Sequence, residues 1–272
     1  PEHSQTVTFS IYLIGIASVV VSGVILKKFK SLASKPAPFV MELPAYHIPR
    51  PSSVLKDVFD KGLAFARRAI SIIAVSSVVL WILGNFDPAF NLIEENGSES
   101  LLAIIGGILA PIFRPLGFGT WQAAVATLTG FIAKENIVAS LGVVLGLGKD
   151  IGGAGQDLVT AFNAALPGAL AGYSFLLFNM LCMPCFAAVA AIKTEMNSNK
   201  WTLAAIGYLM GFAYVISLIF YNFSEWFVNG NFTFWTVIAI FALVGLLYLI
   251  FRKAHYQEEK SVYSKVMLKG LE

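Results

Sequence analysis

Charge is scarce in this sequence. Of its 272 residues only 13% are Asp, Glu, Lys or Arg, where a soluble domain carries about 25%. Hydrophobic residues make up 57%, and the mean hydropathy is +0.74. Those values exclude an ordinary soluble domain and argue for a polytopic membrane protein. Cysteine is nearly absent. Two residues, Cys182 and Cys185, exclude a disulfide framework. A phosphate-cradling motif is also missing: GKDIGGAG, at 148–155, is glycine-rich but lacks the G-x-x-x-x-G-K-[ST] pattern. No nucleotide site, and hence no enzyme, is expected of this chain. Basic residues are not interleaved with aromatics into a patch, so nucleic acid is not an expected partner. No basic flank, short apolar run and small-residue cleavage site open the chain. It begins at Pro1 without an initiator Met, so a trimmed piece of something longer is expected.

What is present is a series of apolar runs. Val7 to Leu26 has no charge and is long enough to span a bilayer; Lys27, Lys28 and Lys30 end it. Residues 31–53 contain five prolines and cannot form regular helix. His47 in this linker reads as a solvated loop imidazole. From Ser53 an amphipathic stretch, VLKDVFDKGLAFARRA, reads as an interfacial lead-in to a second span, Ile70 to Phe86. Leu101 to Phe113 is apolar but short, carries Gly106-Gly107, and ends among Pro111, Pro115 and Gly117. A discontinuous or re-entrant segment at about 101–120 fits, since such backbone is tolerated in a membrane only when buried in protein or lining a cavity. Further runs follow at 121–148, 167–192, 201–223 and 232–251. The expected fold is an all-α, polytopic transmembrane helical bundle. Its expected parts are a first transmembrane helix (1–30), a linker with interfacial helix (31–69), a transport core (70–222), a last transmembrane helix (223–251) and a tail (252–272).

Orientation follows from the basic residues. The segment 27–69 holds nine of the nineteen Lys and Arg, and the tail holds five. Both are expected on the cytoplasmic side. The acidic 87–100 loop and the 224–231 loop are expected outside.

Two stretches carry chemistry. The first is Trp121 to Gly148, long enough to cross a bilayer, yet holding Lys134, Glu135 and Asn136 in a row. A charge at the bilayer centre costs at least about 2.5–3.5 kcal/mol. Neighbours at i and i+1 of a helix point roughly 100° apart, so Lys134 and Glu135 each need a partner of their own. A structural ion-pair network is the plain alternative to a functional one. The second stretch is Cys182-Met183-Pro184-Cys185, inside the 167–192 run. A proline there frees a carbonyl one turn earlier, near Met180 or Leu181. A thiol beside freed carbonyls suits a soft cation. A thioredoxin-type C-x-x-C lacks its βαβ context, and a four-Cys zinc site lacks its second pair. Packing of Cys as a small buried hydrophobe remains open.

At these residues the chain resembles ferrous iron transport protein B (FeoB), the prokaryotic iron(II) uptake family. The resemblance rests on MELPAYHIPRP, LGFGTWQAAVATLTGFIAKENIVASLG, MPCFAAVAAIKTE and NKWTLAAIGYLMGFAYVISLIFYN, in order over residues 41–222. It implies the second half of a membrane domain, from the second Gate motif onward, in a prokaryotic inner membrane. It also implies Fe²⁺ as transported ion and the lipid bilayer as surroundings. GTP and Mg²⁺ would belong to an upstream GTPase domain, which precedes a first Gate half in the family. A small cytoplasmic accessory protein and a homo-oligomer are further expected partners. No cofactor is expected in this chain. The Gate's Pro-Cys falls on Pro184 and Cys185, and the Lys-Glu of GF-x-AKE falls on Lys134 and Glu135. Cys185 is thereby implied on the iron path, with Glu135 supplying a harder oxygen ligand. Cys182 departs from the family pattern but is placed to share a cation. Lys134 is expected to pair elsewhere and tune the field; Asn136 and Met183 flank these positions on the path. The broken 101–120 segment is the expected gate. Two rival readings stay open: a membrane scaffold with Lys134 and Glu135 as ion-pair glue, and Gate-type transport of an organic solute such as a nucleoside.

Overall fold

The computed structural model describes residues 4–28, 50–93, 99–132, 134, 137, 141 and 165–252. Among them the secondary structure is helical, with no strand beyond a single antiparallel bridge between Phe86 and Leu92. Four helical stretches are long and apolar enough to cross a bilayer: Gln5–Lys27, Ala169–Met196, Asn199–Asn229 and Phe234–Phe251. A fifth results if the pair Leu101–Leu116 and Trp121–Ile132, bent by 98°, counts as one span. The all-α transmembrane bundle with a discontinuous segment is therefore the observed fold.

The described chain divides into two compact units. One comprises residues up to Pro49 together with those from Ile240 on; the other is Arg50–Ala239. In the first unit, helix α1 (Ser4–Lys27) is apolar until Lys27. The Lys28 ammonium next to it donates to the carbonyls of Leu249 and Ile250, the end of a helix whose last carbonyls have no intrahelical partner.

The second unit opens with α2 (Pro51–Asn85), with Pro51 at a helix start where its missing N–H costs nothing. The amphipathic lead-in runs directly into the apolar stretch: α2 is unbroken for 35 residues, about 52 Å at 1.5 Å per residue, because no proline follows Pro51 to stop it. Its stretch Ala74–Asn85 is apolar. Ser100 caps α3 (Leu101–Phe113) by accepting the Ala103 N–H at 3.1 Å.

The bend between α3 and α4 (Trp121–Ile132) is built locally. A 3₁₀ turn, Arg114–Leu116, ends at Gly117, whose φ of +88° is left-handed, a region that side chains with a Cβ enter at a cost. A Cβ at Gly117 would also stand 2.1 Å from the Tyr221 ring. At Gly106 a Cβ would lie 2.7 Å from the Trp121 carbonyl oxygen, so glycine there lets the two helices touch. Breaking α3 frees carbonyls that lipid cannot satisfy. Two side chains of a later helix, α7 (Asn199–Asn229), take them: the Tyr214 hydroxyl donates to the Ile112 carbonyl at 2.9 Å, and Asn222 Nδ2 to the Pro115 carbonyl at 3.0 Å.

Beyond the undescribed 142–164 come α5 (Ala169–Leu181), α6 (Phe186–Met196), α7 and α8 (Phe234–Phe251). In a bilayer, helices gain little from the hydrophobic effect and rely on close van der Waals packing. Accordingly Ala123, Ala124 and Ala126 of α4 are fully buried. Around them sits an aromatic cluster in which Phe113, Phe118, Phe175 and Phe178 contact each other at centroid separations of 5.3–5.9 Å. Aromatic pairs, here two edge-to-face, one stacked and one tilted, contribute about 0.5–1.5 kcal/mol each, and they tie α3 and the elbow to α5.

Candidate cation site

Helix α5 stops at Leu181, with four residues between it and the start of α6, in the middle of the apolar stretch Ala169–Met196. Pro184 accounts for the stop. It has no N–H to give the Met180 carbonyl, and its ring disfavours helix at Met183. The last helical bond runs from the Cys182 N–H to the Phe178 carbonyl at 2.8 Å. The Asn179 and Met180 carbonyls that follow have lost their partners four residues on, inside an apolar stretch long enough to cross a bilayer.

Lys134 supplies the replacement. Helix α4 ends at Ile132, and Lys134 stands in a turn just beyond it. The charge therefore emerges at a helix end, not in mid-helix, and its ammonium can swing to a neighbouring backbone. It donates to the Asn179 carbonyl at 2.8 Å and lies 3.5 Å from the Met180 carbonyl. The Cys182 thiol donates to the same Asn179 carbonyl at 3.3 Å and lies 3.6 Å from the Met183 carbonyl. Asn179 itself is buried, anchored by its Nδ2 to the Phe175 carbonyl at 2.9 Å. A Cβ at Gly130 of α4 would sit 3.7 Å from the Asn179 side-chain oxygen, so the ends of α4 and α5 adjoin. Both present the negative end of a helix dipole. A cation is what such a place attracts, and Lys134 provides one.

The sequence-expected residues are distributed unevenly about this point. Lys134, Cys182 and Met183 come together, with Cys182 and Met183 buried. Pro184, half-buried, makes the break. Cys185, also half-buried, is the residue before α6, and its thiol has no hydrogen bond among the described residues. Both cysteines are free thiols. Glu135 and Asn136 lie outside the described residues, as do His47 of the Pro-rich linker, the glycine-rich 149–164 stretch and the tail from 253. Among the described residues no three His, Cys, Asp or Glu side chains come close enough to hold a metal. Backbone oxygen and thiol are the donors offered here. Sequence reasoning missed Asn179. The available signal was an amide side chain in an otherwise apolar run, one turn before the Cys-Met-Pro-Cys stretch.

A bent helix pair beside a proline-broken span whose freed carbonyls hold an ammonium group defines a multi-pass membrane protein with a polar centre inside an apolar segment. Comparison with known sequences sharpens that class. A domain described as "Ferrous iron transport protein B C terminus" matches residues 8–61, and a Gate domain, described as "Nucleoside recognition", matches residues 66–199. The chain is 36% identical to the Fe(2+) transporter FeoB of Staphylococcus aureus (strain COL) over 84% of its own length and 33% of that protein's. The FeoB of Methanocaldococcus jannaschii is 32% identical, over 80% of this chain and 32% of the relative. For Escherichia coli (strain K12) the values are 25%, 90% and 38%. No solved structure matches. The chain is similar to FeoB transporters over most of its own length, and it spans about a third of the length of the curated relatives it matches.

Proposed function

We propose that this chain is part of the membrane pathway of a ferrous iron uptake transporter, with Fe²⁺ passing the break at Cys182–Cys185. One observation carries the reading: proline frees two carbonyls inside an apolar span, and what meets them is a cation and a thiol. Fe²⁺ is borderline in softness and accepts thiolate and carbonyl oxygen together. Half-helix C-termini and unwound carbonyls are the usual way to hold a cation inside a membrane. Cys185 stands at the far side of the same break, and Glu135, directly after Lys134 in the chain, would add a carboxylate. In this reading the chain is a transport component, not an enzyme. GTP linkage comes from an upstream GTPase domain, and a first Gate half contributes the rest of the pathway. A homo-oligomer in a prokaryotic inner membrane, its C-terminus cytoplasmic and a small accessory protein bound there, completes the proposal.

The test is Fe²⁺ uptake in cells expressing the intact parent protein, comparing wild type with Cys185→Ser, Cys182→Ser and Glu135→Gln at matched membrane levels. Loss of uptake in the thiol variants at equal abundance supports a thiol-lined path. Wild-type uptake in both thiol variants refutes it and leaves the cysteines as packing. Reduced abundance of Glu135→Gln alone would favour the scaffold reading. The nucleoside description of the Gate domain motivates one further arm: if excess nucleoside suppresses uptake, the path carries an organic solute.

A further inference from the structure

We infer that Lys134 is a tethered competitor for the cation site: its ammonium holds the Asn179 and Met180 carbonyls against monovalent ions and yields them only to a divalent cation. This rests on the reading of the Cys182–Cys185 break as a cation site.

The site is already filled by the protein's own charge. Lys134 Nζ lies 2.8 Å from one freed carbonyl oxygen and 3.5 Å from the next. Cys182, a thiol suited to a borderline metal, shares the first of these oxygens at 3.3 Å. A cation bound by that thiol and that oxygen would take the place the ammonium now holds, so the two exclude each other. Lys28 shows the bland use of the same contact, capping the Leu249 and Ile250 carbonyls at a helix end. Lys134 differs in two respects. Its carbonyls are freed by a proline within an apolar span, and a metal-type ligand competes for one of them.

Charge then sets selectivity. Attraction between an ion and carbonyl dipoles scales with the ion's charge. A free monovalent ion offers no more charge than the ammonium and must also overcome the high effective concentration that tethering confers. A divalent ion brings twice the charge and gains the thiol besides. Displaced, the ammonium needs only to swing back along its flexible stem. The same competition lowers the apparent affinity for the divalent ion, because only the fraction of protein with Lys134 displaced is competent to bind. A charge-assisted hydrogen bond of ordinary strength corresponds to about a 10- to 100-fold weakening.

The experiment uses the intact parent protein with Lys134→Met, which keeps an unbranched side chain of similar length and removes the charge. Fe²⁺ uptake is measured against Fe²⁺ concentration at matched membrane levels, with and without excess Na⁺ or K⁺. Co²⁺ binding to the purified protein, followed by its thiolate charge-transfer absorption, gives a readout that needs no transport. The expected result is a KM and a Co²⁺ affinity both tighter by about 10- to 100-fold, together with inhibition by monovalent ions that wild type does not show. Equal or weaker Co²⁺ binding in Lys134→Met, or no new sensitivity to monovalent ions, overturns the inference while wild-type uptake leaves the iron path intact. If wild type itself neither transports Fe²⁺ nor binds Co²⁺, the underlying reading fails instead. Should Lys134→Met not reach the membrane, Lys134→Gln and Lys134→Arg decide: tighter Co²⁺ binding in the neutral variant than in the charged one supports the tether, and equal binding overturns it.

Discussion

Gly117→Ala is the sharpest test of how the elbow between α3 and α4 is built. Two costs can be separated. Gly117 has φ +88°, and an L-residue held in the left-handed region costs roughly 1–2 kcal/mol. The new Cβ would stand 2.1, 2.4 and 2.6 Å from three atoms of the Tyr221 ring. These are ring atoms of a half-buried side chain on α7, not the tip of a flexible chain, and overpacking of this kind costs about 1–3 kcal/mol. The sum is about 2–5 kcal/mol of lost stability. Gly107→Ala is the matched control. Its Cβ meets nothing within 4 Å, and in a helix interior the change is worth about 0.8–1 kcal/mol in the opposite direction. The assay is the midpoint of heat-induced loss of monodispersity for the detergent-purified parent protein. A clear drop for Gly117→Ala and none for Gly107→Ala is expected. Tyr221→Ala in the Gly117→Ala background should restore the clash share, so the double variant loses less than the two single losses added. A Gly117→Ala midpoint at the wild-type value, or strict additivity with Tyr221→Ala, refutes the account.

Two further outcomes are expected. Asn222, 5% exposed, donates from Nδ2 to the Pro115 carbonyl at 3.0 Å and the Leu218 carbonyl at 2.9 Å. Asn222→Leu orphans the Pro115 carbonyl and should cost about 1–3 kcal/mol in the same melt, while Asn229→Leu, at an exposed position bonded to Glu225, should stay within about 0.5 kcal/mol. In the loop after α2, the Asn91 backbone N–H donating to the Asp87 carboxylate at 2.8 Å, with help from Asn91 Nδ2, holds that carboxyl below the ordinary aspartate range. A depressed folded-state pKa stabilises the loop above the ordinary aspartate pKa and loses that contribution as pH falls through the lowered value. Exchange protection of the Asn91 amide should therefore fall on acidification, and Asp87→Asn should make it insensitive to pH.

Much of this was legible in the sequence because membranes write their demands in long runs. Apolar length announced α1, α7 and α8, and glycine with proline inside a run too short to span announced the elbow. The Cys-Met-Pro-Cys break could be placed because proline's missing N–H has a fixed consequence four residues earlier. Other features were hidden for physical reasons. The partner of Lys134 was illegible because it is backbone: a carbonyl carries no residue signature, and Asn179 and Lys134 are brought together only by the approach of two helix ends. The roles of Tyr214 and Asn222 were hidden likewise, since each serves a carbonyl about a hundred residues away in sequence.

The two breaks among the described residues answer the same problem differently. At the elbow, carbonyls freed near Pro115 are taken by a phenol and an amide. These are neutral donors fixed on one long helix, and the Asn222 amide is buried. Among the described residues no charged group reaches those oxygens. At Cys182–Cys185 a neutral donor would have served packing equally well. The chain instead brings a charge to an apolar span, where even lenient estimates put the cost at about 2.5 kcal/mol, and seats it on an oxygen that a thiol also reaches. A bond with a built-in rival is suited to exchange. Under the proposed reading, the second interruption is the one whose chemistry a passing cation would take over.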